Sequence, residues 1–223
     1  MSGIVIFGAG GRAGRAVTAE ARGRGHRVTA VVRDPSKYGD LEATGVSLVR
    51  GDVTDAERTF SIVRGHDAAV CAVTPFSGPQ QDFSALDPEF FVKAVDALLA
   101  GLAEAGVPRL VTIGLFANLK GADGRLIMDD PSLFPAHIRP FAAAHTAGLH
   151  RLREQDGPVD WLMLTPPALL EADGPRTGRY RTGGETAPPM SARLSYADLA
   201  VAVIDEIETP RHHRTRIAVF NLS

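Results

Sequence analysis

The stretch Gly3-Ile4-Val5-Ile6-Phe7-Gly8-Ala9-Gly10-Gly11-Arg12-Ala13-Gly14, close to the start of the chain, decides the fold. Its first part, Ile4–Phe7, is a short apolar run of the kind that forms a strand buried on both faces. Its second part is rich in glycine and leads into a helical pattern over Arg12–Arg24. Glycine at position 8 permits a tight turn, and glycine at position 14 permits close packing of a helix on a strand. The stretch therefore predicts a strand, a glycine-rich turn and a helix in direct succession.

Strand and helix patterns continue to alternate along the chain. Further strands are predicted at Val28–Val32, Val46–Val49, Ala68–Val73, Leu110–Ile113 and Trp161–Leu164, and further helices at Asp55–Val63, Pro88–Ala105 and Arg139–Gln155. The tail adds a short strand at Gly178–Arg181, a helix from Ser195 to Ile207 and a final strand at Arg216–Phe220. This order predicts an α/β, doubly wound Rossmann fold with a mostly parallel sheet of about seven strands and a small C-terminal extension on the substrate side. One domain is expected over residues 1–223, because the tail is too short to bury a core of its own.

The amino-acid composition argues against two classes of binding partner, nucleic acids and anionic membranes. The 223 residues carry a formal net charge of −2 and 44% of them are hydrophobic, so no strong field points to nucleic acid or to an anionic membrane. We expect a small-molecule substrate, and a monomer or a homodimer. No group of His, Cys, Asp and Glu has metal-site spacing, so no metal is expected. No apolar run reaches membrane-spanning length and no leader pattern precedes the first strand, which predicts a cytoplasmic protein.

The glycine-rich turn has the residues that bind a dinucleotide. A turn between a first strand and a helix brings unpaired backbone N–H groups and the positive end of the helix dipole to one point, and glycine lets a pyrophosphate approach the backbone. The residues expected to bind it are Gly8, Gly10, Gly11, Arg12, Ala13 and Gly14. The alternative is a tight turn without a ligand. The position after the first strand of an alternating pattern favours the dinucleotide.

The end of the second strand bears on the choice between NADP and NAD. Arg33 stands near the position where NAD-binding chains place a carboxylate for the ribose, and a guanidinium there binds a 2′-phosphate while stacking on adenine. Arg12 and Lys37 add positive charge, so NADP, as NADPH, is favoured over NAD. Asp34 leaves the alternative open, because a strand one residue longer would give its carboxylate to the ribose hydroxyls.

Other strand ends complete the expected cofactor site, because ligands of such sheets bind outside the carboxyl ends of the strands. Asp52 and Val53 close the third strand and are expected to flank the adenine, although Asp52 is equally explained as a turn residue. The ends of the fourth and fifth strands contribute Val73, Thr74 and Gly114.

These motifs resemble those of the atypical short-chain dehydrogenase/reductase superfamily, in particular its small NAD(P)H-binding proteins related to NADH-flavin reductases, biliverdin reductase B and NmrA-like proteins. The resemblance covers nearly the whole chain. It rests on the glycine turn and on Val32-Arg33-Asp34-Pro35, Gly51-Asp52-Val53, Leu149-His150-Arg151-Leu152-Arg153, Thr165-Pro166-Pro167-Ala168 and Leu194-Ser195-Tyr196-Ala197-Asp198-Leu199-Ala200. It implies that the turn holds the pyrophosphate, that basic residues at the second strand end select NADP, and that Pro166, Pro167 and Ala168 meet the nicotinamide.

One departure from that superfamily bears on the chemistry. Typical members carry a Tyr-x-x-x-Lys pair for proton transfer, whereas the corresponding stretch here runs from Phe141 to His145, and a phenylalanine donates no proton. The fifth strand ends without the usual serine, and Thr112 and Asn118 are the nearest polar groups. The catalytic candidates are therefore His145, Thr112 and Asn118. His145 either orients the nicotinamide ribose, donates a proton near neutral pH, or is packed inside the helix contacts.

The function expected from these features is hydride transfer. We expect an NAD(P)H-dependent oxidoreductase that reduces a small conjugated or aromatic acceptor without the Tyr/Lys pair, since smaller relatives also lack the tyrosine. The aromatic side chains in and after the two long connections are candidates for pocket wall or for core: Phe76, Phe83, Phe90, Phe91, Phe116, Phe134 and Phe141. A non-catalytic, NADP-sensing regulatory protein is the alternative. An epimerase or dehydratase is a weaker one, because those reactions normally need the absent tyrosine.

Overall fold

The computed structural model describes residues 1–76 and 85–221. Within them the chain forms strands β1 (Gly3–Phe7), β2 (Arg27–Val32), β3 (Val46–Arg50), β4 (Ala68–Cys71), β5 (Arg109–Ile113), β6 (Asp160–Thr165), β7 (Leu169–Glu171), β8 (Arg181–Gly183), β9 (Arg193–Ser195) and β10 (Thr215–Phe220). The helices of these residues are α1 (Arg12–Gly23), α2 (Ala56–Val63), α3 (Phe90–Ala105), α4 (Arg139–Arg153) and α5 (Tyr196–Glu208). None of them is long and apolar enough to cross a membrane.

Eight of these strands form one sheet in the order β3-β2-β1-β4-β5-β6-β10-β8. All neighbouring pairs in it run parallel except β10 and β8, and the short strands β7 and β9 form a separate parallel pair. The predicted doubly wound, mostly parallel sheet is therefore confirmed. Strand order reverses between β1 and β4, so a crevice for ligands is expected above their carboxyl ends.

Helices cover both faces of the sheet, which is why its central strands are continuously apolar. Helices α1 and α5 pack together on one face, and α2, α3 and α4 pack in a row on the other. Strand β1 shows the consequence, because Ile4 and Ile6 belong to the core on the first face while Val5 and Phe7 belong to the core on the second. All four side chains are 0–1% exposed.

Several boundaries differ from the sequence-based expectation. Strand β4 ends at Cys71 rather than Val73, and β8 lies at Arg181–Gly183 rather than Gly178–Arg181. The short strands β7 and β9 were not predicted, because runs of three residues have no readable period. Helix α3 ends as expected at Gly106, whose φ of +69° is left-handed.

Candidate functional site

Two glycines of the turn are required by the fold itself. Gly8 has a φ of +79°, and a Cβ on it would lie 2.5 Å from the carbonyl oxygen of Ala72. A Cβ on Gly14 would lie 2.1 Å from the carbonyl oxygen of Gly8. Only glycine permits these contacts, and through them α1 begins directly against the end of β1.

Gly11 differs because the fold would accept a side chain there. Its φ is −77°, it is exposed, and a Cβ on it would meet nothing closer than the Gly8 carbonyl oxygen at 3.4 Å. As the N-cap of α1 it also supplies no side chain to the N–H groups of the first turn, which begins with exposed Arg12 and half-buried Ala13. The missing cap and the open approach fit an anionic group such as a pyrophosphate.

The loop after β2 carries the charges expected to select the cofactor. Exposed Arg33 follows the strand, and its Nη1 lies 3.5 Å from the carbonyl oxygen of Pro75, in the segment after β4. Asp34 accepts hydrogen bonds from the hydroxyl of Ser36 at 2.7 Å and from its backbone N–H at 3.3 Å, and it pairs with Lys37 at 3.5 Å. The Ser36 hydroxyl is the main cause that holds the pKa of Asp34 below its usual value. Asp34 thus caps the following turn as an anion.

Asp52, expected near the adenine, is held within its own turn. Its carboxylate accepts hydrogen bonds from the backbone N–H of Thr54 at 3.0 Å and from the Thr54 hydroxyl at 2.8 Å. This is the turn-forming alternative. The next residue, Val53, is buried in the core on the α2–α4 face of the sheet. Contact of either residue with adenine stays a prediction.

The remaining residues expected to bind the cofactor lie at the carboxyl ends of three neighbouring strands. They are Val73 and Thr74 after β4, Gly114 after β5, and Pro166, Pro167 and Ala168 after β6. Gly114 donates its N–H to the carbonyl oxygen of Leu164 at 2.7 Å, and a Cβ on it would lie 2.1 Å from Oγ1 of Thr165. A glycine is therefore needed for β5 and β6 to end side by side.

His145 is buried and neutral. It is 7% exposed, and burial is the main cause that lowers its pKa to about 4. The side-chain amide of Asn118 lies within hydrogen-bond distance of His145, with its nitrogen 3.3 Å from Nδ1. Near neutral pH the ring carries no charge, so it is a poor general acid.

Thr112 shares a small cavity with His145 below the ends of β4 and β5. The cavity has a volume of about 30 Å³, and its wall is mostly apolar, with Phe91 and Leu98 among the lining side chains. This space suffices for a water molecule or two, whereas small-molecule pockets measure about 300–1,000 Å³. The cavity is therefore not a substrate pocket. Across the described residues, no three His, Cys, Asp or Glu side chains are grouped as a metal site requires.

Aromatic rings gather around His145 and form what we call the aromatic cluster: Phe76, Phe90, Phe91, Phe141 and His145. The ring centroids of Phe91 and His145 lie 4.5 Å apart, and those of Phe91 and Phe141 lie 5.7 Å apart. Phe76 extends the cluster with a centroid 5.6 Å from that of Phe141. Phe91 is core, while Phe76 and Phe141 are half-buried. Phe91 thus has the core role, and a pocket-wall role for Phe76 and Phe141 stays a prediction.

The other phenylalanines of that prediction have separate positions. Phe116 packs with Leu119 and Ile127 in a small core of the segment after β5. Phe134 packs against a neighbouring cluster that contains Met128. Phe83 lies outside the described residues.

Arg216 is a site-supporting residue that the sequence did not reveal. It is 2% exposed within β10, its Nη1 donates to the backbone carbonyl oxygen of Asn118 at 2.7 Å, and its Nη2 lies 3.3 Å from Oε2 of Glu185. The buried guanidinium fixes the segment that carries Asn118, and through it the orientation of His145. The signal was weak, because an arginine near the start of a strand is usually exposed.

The chain belongs to the NAD(P)H-binding family, whose sequence model matches residues 8–210. The uncharacterised protein YwnB of Bacillus subtilis is 33% identical over 221 residues, covering 97% of each chain. Among solved structures, a candidate epimerase from Bacteroides thetaiotaomicron is 31% identical with a TM-score of 0.85, covering 100% of this chain and 98% of that one. A candidate NADH-flavin reductase from Streptococcus pneumoniae is 26% identical with a TM-score of 0.83, covering 100% of both chains. The resemblance to NAD(P)H-binding proteins of this type is therefore confirmed.

We expect Gly11→Val to abolish dinucleotide binding while the protein stays folded. The added side chain has room within the fold, but it stands over the helix terminus where the pyrophosphate is expected. Titration calorimetry with NADPH measures the affinity, and thermal unfolding monitors the fold. Gly23→Val is the matched control at the other end of α1, because its Cβ would have no atom within 4 Å. Unchanged NADPH affinity in the folded Gly11→Val protein would place the pyrophosphate elsewhere.

We expect the free energy of unfolding to fall as the pH falls from about 6.5, the ordinary pKa of histidine, toward the pKa of about 4 of buried His145. Between these two pH values His145 binds a proton in the unfolded chain but not in the folded protein. The stability present at higher pH is therefore lost as the pH falls through this range. Urea titrations at a series of pH values measure the effect. His145→Phe, which keeps a ring but does not titrate, should show a smaller loss. An identical pH dependence in both proteins would contradict the neutral buried imidazole.

Proposed function

We propose that the protein is an NADPH-dependent oxidoreductase that passes a hydride to a planar conjugated acceptor without a proton donated by the protein. The observation that carries the proposal is the state of Phe141 and His145. The first has no proton to give, and the second is neutral, buried and already hydrogen-bonded to Asn118. The candidate NADH-flavin reductase from Streptococcus pneumoniae, similar over the whole chain, supports the same class of reaction.

The protein would contribute by positioning the hydride donor and the acceptor and by excluding water from them. Bound NADPH supplies a hydride from its nicotinamide ring. Gly114 has no side chain, and Pro166 and Pro167 are buried directly after β6, so the adjoining ends of β5 and β6 present a backbone edge for the nicotinamide. The aromatic cluster lies on the helical side of that edge and keeps it dry. Holding donor and acceptor in a fixed geometry is a sufficient source of rate for a hydride transfer.

The class of hydride acceptor follows from the absence of a side chain that could act as a general acid at Phe141 and His145. Reduction of a simple aldehyde or ketone puts negative charge on one oxygen, and a general acid there is worth a factor of about 10²–10⁴ in rate. A flavin, quinone or enone spreads the charge over a conjugated system, so it can leave the site as the anion and take its proton from water once it reaches solvent. The half-buried rings of Phe76 and Phe141 offer apolar surface to a flat ligand of this kind.

The choice of NADPH over NADH rests on the loop after β2. Asp34, the residue that would bind ribose hydroxyls, is occupied by Ser36 and Lys37. Arg33 is exposed and directly follows β2, the strand that pairs with β1. A guanidinium in that place suits the planar, charge-assisted recognition of a 2′-phosphate.

Arg33→Ala should remove most of the preference for NADPH. Loss of a charge-assisted contact costs about 1.5–3 kcal/mol, so the dissociation constant of NADPH should rise about 10- to 100-fold while that of NADH changes little. Titration calorimetry with both dinucleotides measures this. Arg64→Ala, an exposed arginine after α2 at the opposite edge of the sheet, is the control. Equal affinities for NADPH and NADH in the unmodified protein would overturn the assignment.

Single-turnover oxidation of NADPH tests the reaction itself. With flavins, quinones and enones as acceptors we expect turnover, and with simple aldehydes and ketones we expect none. Phe141→Tyr should bring no large gain and Phe141→Leu at most a modest loss, because position 141 donates no proton in the proposed reaction. A large gain in ketone reduction by Phe141→Tyr would show that the site is built for a protein acid. Tight NADPH binding with no acceptor reduced would instead favour a dinucleotide-binding regulatory protein.

A further inference from the structure

The ring of Tyr38 fills the space of a missing side chain in the glycine turn. A Cβ on Gly10 would lie 2.4 Å from Cε1 and 2.6 Å from Cζ of Tyr38. A side chain at position 10 would therefore have to displace the Tyr38 ring, whereas one at position 11 would not. The Tyr38 hydroxyl oxygen is bonded directly to Cζ, so it too lies against the backbone of the turn.

Arg15 and Asp40 hold this ring in place from the helix side. The guanidinium carbon of Arg15 lies 5.7 Å from the ring centroid, its Nε donates to the carbonyl oxygen of Gly10 at 3.1 Å, and its terminal nitrogens pair with Asp40. The Arg15–Asp40 pair thus links α1 to the loop that carries Tyr38. The position of the ring is set before any ligand arrives.

Tyr38 belongs to the loop that carries the groups expected to select the cofactor. Tyr38 follows Lys37 directly, in the loop that begins with Arg33 and lies against the turn at Gly10. Within residues 1–76 and 85–221, no side-chain hydrogen bond involves the Tyr38 hydroxyl, although the ring is half-buried. A hydroxyl donor held in this loop, next to Lys37 in the chain, suits the oxygen of a phosphate monoester.

We propose that Tyr38 is a specificity-determining residue whose hydroxyl donates a hydrogen bond to the 2′-phosphate of NADPH. The proposal rests on the proposed cofactor site and deepens it, since it adds a neutral donor to Arg33 and Lys37. The ring occupies the space that a side chain at position 10 would need. Its hydroxyl provides a hydrogen-bond donor, which glycine lacks.

Tyr38→Phe tests this, because it keeps the ring against Gly10 and removes the hydroxyl alone. Titration calorimetry should show NADPH and 2′,5′-ADP bound about tenfold more weakly, as expected for one hydrogen bond to a charged group. Affinities for NADH and 5′-AMP, which lack the 2′-phosphate, should be unchanged. Tyr180→Phe is the matched control, because the Tyr180 hydroxyl donates to Asp205 of α5, away from the turn.

The outcomes separate the inference from the proposed function. Unchanged affinity for all four ligands in Tyr38→Phe would overturn the inference while leaving the NADPH site intact. An equal loss for 2′,5′-ADP and 5′-AMP would also overturn it, since the hydroxyl would then bind a part of the nucleotide that both share. Failure of the unmodified protein to bind NADPH at all would contradict the proposed function, and the inference with it.

Discussion

The close approach of helix α1 to the end of strand β1 is the constraint on which the rest of the site depends. It is made possible by Gly8 and Gly14, where any side chain would collide with backbone atoms. Because the helix starts there, its first N–H groups lie at the switch point of the sheet, between β1 and β4. Gly11 leaves them uncovered. One contact between two backbones thus creates both the fold's first crossover and the helix terminus at which the pyrophosphate is expected.

The part of the site around His145 is held together by buried side chains, and the imidazole itself is uncharged. Arg216, paired with Glu185, donates to the backbone carbonyl of Asn118, and the side-chain amide of Asn118 lies against His145. The ring of Phe91 packs against that imidazole with the two planes tilted by 46°. This arrangement keeps the histidine neutral, since burial opposes its protonation. A site of this kind can orient the hydride donor and the acceptor and exclude water from them, but within the described residues it has no side chain suited to donating a proton. The expected chemistry follows from that limitation.

The sequence patterns predicted the regular secondary structure and missed individual contacts between residues that are distant along the chain. The alternation of strands and helices, the glycine turn and the six apolar strands were readable because burial on two faces leaves a continuous apolar run. Asp34 could be placed in two ways from the sequence, and only the bond to Ser36 shows it as a capping residue. Tyr38 and Arg216 were missed, since their roles come from partners 28 and 98 residues away along the chain, Gly10 and Asn118.

The central claim is that the uncapped start of α1 binds the pyrophosphate of NADPH. The most direct test is to follow backbone amide signals by nitrogen-15 NMR while NADPH is added to the protein. We expect the amides of Arg12 and Ala13 to shift most, together with those of the loop after β2, because hydrogen bonds to phosphate oxygens form there. Saturable shifts elsewhere, with these amides unchanged, would contradict it.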